Sequence, residues 1–264
     1  MTKTVKITGS LLFILLIITL FVLIFQQKPE YTIKEDDYAN RFIAHAGGAI
    51  DGIKYTNSIE ALNLSYSKGC KLFELDLVET ADGKIVAKHD PTKLTEKEFM
   101  SRLIRGKYTP MNMESINDWF RNHPDAILVT DKINDPERIF NEFQFPDRLI
   151  MELFTWEAID KAIELGIKPL VTQNLIYKTP DFVKEMKKRK IEYFGYSRRY
   201  IKDKEKLLKQ LKKNGVKIYL YNLEKKIDNI QSMEQYVWDN EMEYCYGMYA
   251  NDLDILFLLN NAKL

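Results

Sequence analysis

The sequence predicts an α/β protein, a (β/α)8 TIM barrel preceded by one N-terminal transmembrane helix. Three observations lead there. Short apolar runs alternate with amphipathic stretches from Arg41 to the C-terminus, the pattern of βαβ units and a parallel sheet. About eight such units fit a closed barrel, whose usual size is ~250 residues, and the chain has 264. No G-x-G-x-x-G follows the first run, which argues against the open dinucleotide-binding sheet.

The N-terminal segment stands apart from this pattern. Ser10 to Phe25 reads SLLFILLIITLFVLIF without a charge, after Lys3 and Lys6 and before Lys28. With Ile7, Thr8 and Gly9 the run approaches the ~20 residues of a spanning helix. No small-x-small cleavage pattern follows it, so residues 1–28 read as an uncleaved signal anchor. Lysines on the short leading side keep that side cytoplasmic, which places the rest outside the cytoplasmic membrane, periplasmic or at the cell surface. Residues 29–40 are polar and read as a linker, leaving 41–264 for the barrel.

Within the barrel, the strand candidates are 42–45, 71–77, 126–131, 148–153, 168–173, 191–195, 216–221 and 244–249. Helical patterns occupy 58–68, 113–122, 136–144, 156–165, 180–189, 201–213, 227–238 and 252–262. Ala81-Asp82-Gly83-Lys84 is a turn signal, and 85–89 reads as an extra strand after it. The long mixed stretch 91–113 reads as a lid or insertion over the site, or as a surface loop.

Composition narrows the partners. A net charge of +1 and a sequence pI near 7.6 exclude a global electrostatic pull on nucleic acid. Cys70 and Cys245 lack metal-ligand spacing and read as buried free thiols.

The chemistry concentrates early in the chain. Alternation along 71–77 puts Leu72, Glu74 and Asp76 on one face and Phe73, Leu75 and Leu77 on the other. With the second set packed on helices, Glu74 and Asp76 point into the barrel. Two carboxylates so placed repel each other and lose hydration, and a bound hard cation, Mg²⁺ or Ca²⁺, relieves both penalties. His45 and His89 end apolar runs at the rim where barrel active sites form, and a histidine pair can serve as general base and acid. His123 falls at the opposite end of its strand and reads as structural. Later strand ends offer Glu152, Gln173, Asn222, Asn251 and Asp252, for substrate contact or for capping. The tyrosines near the later strands, Tyr219 and Tyr221 among them, read as core and rim packing.

In order, HAGG (45–48), TNSIEAL (56–62), FELDL (73–77), TADGKIV (80–86) and HD (89–90) resemble the glycerophosphodiester phosphodiesterases, part of the wider phosphatidylinositol-phospholipase-C-like barrels. The resemblance is strong over about 50 residues. It implies that His45 and His89 are the acid and base, and that Glu74 and Asp76 are metal ligands. It also implies a further acidic ligand at a later strand end, commonly in Glu-x-Lys. Asp131 in Val129-Thr130-Asp131-Lys132 is the best match, with Lys132 holding phosphate as a point charge.

Two positions depart from the family pattern. Ala46 stands where an arginine usually follows the first histidine, and Thr56 where a glutamate usually precedes the asparagine. Losing both avoids stranding one charge in a buried site. Lys54, Lys132, Arg198 and Arg199 are the candidates to replace the lost cation, and Arg198 is expected to bind substrate from the rim.

Together these residues predict a membrane-anchored, metal-dependent phosphodiesterase for glycerophosphodiesters, polyol phosphates or phospholipid head groups. A non-catalytic barrel binding phosphorylated glycan or lipid head groups is one rival. A phospholipid lyase of the sphingomyelinase D type, releasing a cyclic product, is another.

Overall fold

The computed structural model describes residues 38–223 and 232–261. The expected anchor (1–28) and most of the linker (29–40) lie outside the described residues. Among the described residues, no helix is long and apolar enough to cross a membrane.

A single turn of 3₁₀ helix, Tyr38–Arg41, leads into β1 (Phe42–Ala44). The other strands are β2 (Leu72–Glu79), β3 (Ile85–Ala87), β4 (Ile127–Asp131), β5 (Leu149–Leu153), β6 (Lys168–Thr172), β7 (Tyr193–Ser197), β8 (Lys217–Tyr221) and β9 (Gly247–Ala250). All except β3 pair in parallel in the order β1-β9-β8-β7-β6-β5-β4-β2, and β1 pairs with β2 to close the ring. The result is an eight-stranded parallel barrel. β3 instead runs antiparallel to the end of β2, pairing Leu77 with Ala87 and Glu79 with Ile85. The extra strand is therefore a hairpin outside the ring, turned at Gly83 with φ +74°.

The register fixes which side chains face inward. Ile43 pairs with Leu72, Glu74 with Val129, Asp76 with Asp131, Val129 with Ile150, Glu152 with Leu170, and Thr172 with Gly195. Gly195 then pairs with Tyr219, Tyr219 with Gly247, and Tyr249 with Ile43. Paired residues share a face, so one interior parity runs round the ring. The opposite parity, including Phe73, Leu75, Leu128, Met151, Phe194 and Leu220, is buried against the helices. This outer layer is the larger core, as expected for parallel strands covered by helices.

Helices follow most strands in turn, with bounds close to the amphipathic stretches: Ile59–Ser67, Met113–Asn122, Pro136–Glu142, Trp156–Glu164, Phe182–Lys188, Ile201–Lys213, Met233–Asn240 and Asp254–Asn261. Six of these starts are capped, by Ser58, Asn112, Asp135, Thr155, Asp181 and Ser232, each accepting a backbone N–H of the first turn. The helix expected over 227–238 lies partly outside the described residues.

The stretch 91–113 is a packed excursion rather than an open lid. Its helix Glu96–Met100 places Phe99 against Val78 and Val86 in a small separate core. Glu60 accepts two hydrogen bonds from Thr109, at 2.6 and 2.9 Å, and Tyr108 donates to Asp51 at 2.8 Å. Cys70 and Cys245 are free and buried, and burial pushes both thiols up to about 12. His123 stacks on Trp119 at 4.0 Å, with Nδ1 2.7 Å from the Trp119 carbonyl. That settles it as a packing residue.

Candidate active site

The inward parity carries polar side chains to the C-terminal ends of the strands. A pocket of about 250 Å³ opens there, lined by residues from eight loops and strand ends, including His45, Glu74, His89, Asp131, Glu152 and Tyr249. Glu74, Asp76 and Asp131 each offer an oxygen within 4.8 Å of the others. The structure thus gathers both predicted histidines and all three predicted carboxylates at one end of the barrel.

Each carboxylate is held by nearby residues. Glu74 Oε2 accepts the Ala46 backbone N–H at 2.6 Å. Asp76 is clamped by Asn57, whose Nδ2 donates to Oδ2 at 2.9 Å while its Oδ1 accepts the Asp76 N–H at 3.0 Å. Asp131 projects beside Asp76 through their strand pairing. Burial, and then the neighbouring Asp76 and Asp131 charges, push the Glu74 carboxyl well above its usual range. Burial likewise raises Asp131, against the opposing pull of Lys132.

These three groups fit a hard divalent cation. They are oxygen donors, close together, two of them buried, and their mutual repulsion is relieved by positive charge. Lys132 already supplies one such charge. Its Nζ lies 3.0 Å from Asp76 Oδ1 and 3.6 Å from Asp131 Oδ2. The lysine expected to grip phosphate is drawn into the carboxylate cluster.

The histidines share an aromatic neighbour. The Tyr55 ring packs 4.8 Å from His45 and 5.2 Å from His89, and Tyr249 lies 5.7 Å from His45. His89 is about half exposed and its Nδ1 sits 3.1 Å from Asp90 Oδ1. That contact, with the His89 hydrogen bond as its main cause, holds the Asp90 carboxyl below its ordinary value.

Backbone strain marks the same place. Ala46, Tyr55, Asn57, Lys132 and Asn222 all have φ between +48° and +74°. Non-glycine residues rarely adopt this region, and it is retained where surrounding structure over-determines it, commonly at functional sites.

Other expected residues go elsewhere. Arg198 does not reach the pocket. Its guanidinium makes a bidentate pair with Glu241, both contacts 2.8 Å, and lies over the Tyr236 ring. That arrangement satisfies the charge within the helical layer, so the expected substrate contact from Arg198 is corrected. Lys54 and Arg199 are also absent from the lining, and no lysine or arginine is among the described residues that form it. Gln173 accepts the Ser197 N–H at 3.0 Å, and Asp252 caps Asp254 at 2.9 Å, both local structural duties. Asn222 lines the pocket and donates to Ser197 Oγ at 3.1 Å. Glu152, Tyr221 and Tyr249 also line the pocket. The inward parity of their strands could have singled them out.

No protein-family model matches the sequence. Similar solved structures place the fold. A glycerophosphodiester phosphodiesterase from Parabacteroides distasonis superposes with a TM-score of 0.64 at 16% identity, covering 84% of this chain and 97% of that one. One from Thermotoga maritima gives 0.62 at 17%, covering 83% and 97%. A phosphodiesterase from Oleispira antarctica, in complex with its product sn-glycerol-3-phosphate, gives 0.62 at 15%, covering 83% and 96%. The chain has the glycerophosphodiester phosphodiesterase fold. The coverage of nearly all of each neighbour means that the whole glycerophosphodiester phosphodiesterase barrel is matched, not one half of it.

Proposed function

We propose that this chain is a metal-dependent phosphodiesterase acting on a glycerophosphodiester or a related polyol-phosphate or head-group diester. The observation that carries the reading is the meeting of two histidines with a tight carboxylate trio at the end of the barrel where such folds do chemistry. The shared fold of glycerophosphodiester phosphodiesterases supports it.

In this reading Glu74, Asp76 and Asp131 hold Mg²⁺ or Ca²⁺. When bound, the ion polarises the phosphate and offsets charge building on its oxygens. One histidine accepts a proton from the attacking hydroxyl, and the other donates one to the leaving oxygen. Asp90 beside His89 Nδ1 favours the proton on that nitrogen, which leaves Nε2 to exchange with substrate. The resemblance in sequence points to the substrate's own neighbouring hydroxyl as the attacker, with a cyclic phosphate as intermediate. Asn57 and the Ala46 N–H keep the Asp76 and Glu74 oxygens aimed together.

His45→Ala and His89→Ala are each expected to lower turnover by about 10²–10⁴-fold without changing the thermal melt. Chelation is expected to abolish turnover. Full activity in either variant would sink the acid–base assignment. Ala46 in place of the family's arginine, and Lys132 drawn onto Asp76 and Asp131, favour one alternative, a barrel that binds a phosphorylated ligand without cleaving it; such a protein would bind the diester with metal and never release a product.

The apolar run at 10–25 supports a barrel tethered outside the cytoplasmic membrane.

A further inference from the structure

Charge is unevenly spread along this nearly neutral chain. Residues 178–217 hold 15 lysines and arginines against five aspartates and glutamates, a net of +10. The whole chain carries +1, so the remainder carries −9. The basic stretch spans two outer helices, Phe182–Lys188 and Ile201–Lys213, and the strands β7 and β8.

The fold carries much of this charge to one end of the barrel. Lys187, Lys188 and Lys190 cluster at the end of the first helix, and Lys212 and Lys213 at the end of the second. Lys168 and Lys217 open β6 and β8. All stand at the N-terminal ends of the strands, opposite the pocket of His45 and His89. Two cavities there, of about 330 and 170 Å³, share Lys190, Ile191 and Glu192 in their linings. Their surface runs unbroken from Lys168 to Asn214, and among the described residues that line it Glu192 is the one acid. Lys217 continues the row. It lies over the Tyr246 ring at 5.5 Å, and Arg41 lies over the same ring at 4.3 Å. Arg41 ends the 3₁₀ turn through which the linker enters β1.

Structural duties do not account for these cations. A helix end attracts positive charge, yet Ile59–Ser67, Pro136–Glu142 and Met233–Asn240 carry none in their last turns. Arg189 is held by Asp160 and Glu185. Lys187, Lys188, Lys190 and Lys213 are exposed and form no salt bridge among the described residues. Lysines gathered in this way repel one another, and an anionic partner relieves the repulsion.

The form of the patch selects a membrane. The cations are spread over helix ends, strand starts and the linker entry, a broad face rather than a pocket. Tyr193 and Tyr246 are buried beneath Lys217, so neither offers a ring face for stacking a nucleic-acid base. The linker joins the barrel at this same end, and a tether through residues 29–37 reaches at most about 30 Å. Clustered lysines beside a membrane attachment are drawn to anionic lipid head groups.

We propose that this end of the barrel docks on an anionic phospholipid surface, with the pocket on the opposite end. The choice of a membrane rests on the tethered reading; the separation of charge does not.

The test uses the full chain on vesicles of phosphatidylcholine, with or without phosphatidylglycerol. Acylation of lysines by a water-soluble reagent is read residue by residue in a mass spectrometer. Lys187, Lys188, Lys190 and Lys213 are expected to react at least about fivefold more slowly on the anionic vesicles, the weight of one lysine near a charged surface. Lys93 and Lys97, in the excursion after β3, should react equally on both. Salt at about 0.5 M should remove the difference. Lys187→Glu combined with Lys188→Glu should remove it at Lys190 and Lys213 without changing the thermal melt. Equal reactivity on the two vesicle types, or slowing of all lysines alike, would overturn the docking face. Protection by soluble polyphosphate on neutral vesicles, with none from anionic lipid, would overturn it in favour of a polymer. A chain that fails to bind neutral vesicles counts against the tether, and flotation with anionic vesicles then decides the face. Recovery with them, lost in the double variant, supports docking; absence from them overturns it.

Discussion

Asn57 shows how one side chain organises the metal side. It is fully buried, takes φ +48°, and exchanges two hydrogen bonds with Asp76. Asn57→Leu removes both bonds and leaves Asp76 unsupported among like charges. Loss of stability of about 1–3 kcal/mol is expected from the unsatisfied buried groups, and metal affinity should fall about 10–100-fold. Thermal unfolding and a calorimetric Ca²⁺ titration would read the two effects, and unchanged metal affinity would contradict the clamp.

The same residues set a pH dependence. Glu74 and Asp131 have carboxyls raised by burial, with neighbouring charges adding to the effect at Glu74. A carboxyl with a raised folded value binds protons more readily folded than unfolded. Metal-free protein should therefore lose stability as pH rises from the ordinary carboxylate range through the raised folded values. Bound metal needs these groups ionised, so the rise in melting temperature on adding Mg²⁺ should grow with pH over that window. Melting curves with and without EDTA from pH 4.5 to 8 test this; a metal-induced shift that shrinks as pH rises would refute it.

At the scale of elements, barrel closure depends on the β9–β1 seam. Gly247 sits inward on β9, and a Cβ there would collide with the Arg41 backbone carbonyl and approach a Tyr219 ring carbon at 2.9 Å. Backbone cannot move aside as a flexible side chain can. Gly247→Ala is expected to cost about 1–3 kcal/mol or more in overpacking, read as a lowered denaturant midpoint. A wild-type midpoint would show that the seam yields freely.

The elements also show what the sequence could and could not reveal. The alternation of apolar runs and amphipathic stretches located the eight barrel strands to within a few residues, because each periodicity is local. It also placed Glu74 and Asp76 inward. The partner of Arg198 was not legible: Glu241 is 43 positions away, and only the packed helices bring the two together. Tyr55 gave no signal, since neither its left-handed backbone nor its place between two histidines is written in composition. Glu152 was legible as a strand-end acid, and its place on the ring became clear only with the β5–β6 register.

At the scale of the molecule, the barrel joins residues far apart in sequence into one mouth, where both histidines and the carboxylates Glu74, Asp131 and Glu152 meet the rings of Tyr55, Tyr221 and Tyr249. The N-terminal apolar run adds a prediction of location. Protease added to spheroplasts, whose cytoplasmic membrane is intact, is expected to digest the barrel; protection until that membrane is lysed would contradict a tether that faces outward.

The most direct test of the central claim is a phosphorus NMR time course with the full chain, glycerophosphocholine and Mg²⁺ or Ca²⁺. The account predicts conversion of the diester to a phosphomonoester, with any cyclic phosphate transient, and arrest of the reaction on adding EDTA. A diester that persists with either metal, or is cleaved equally fast after chelation, would contradict it.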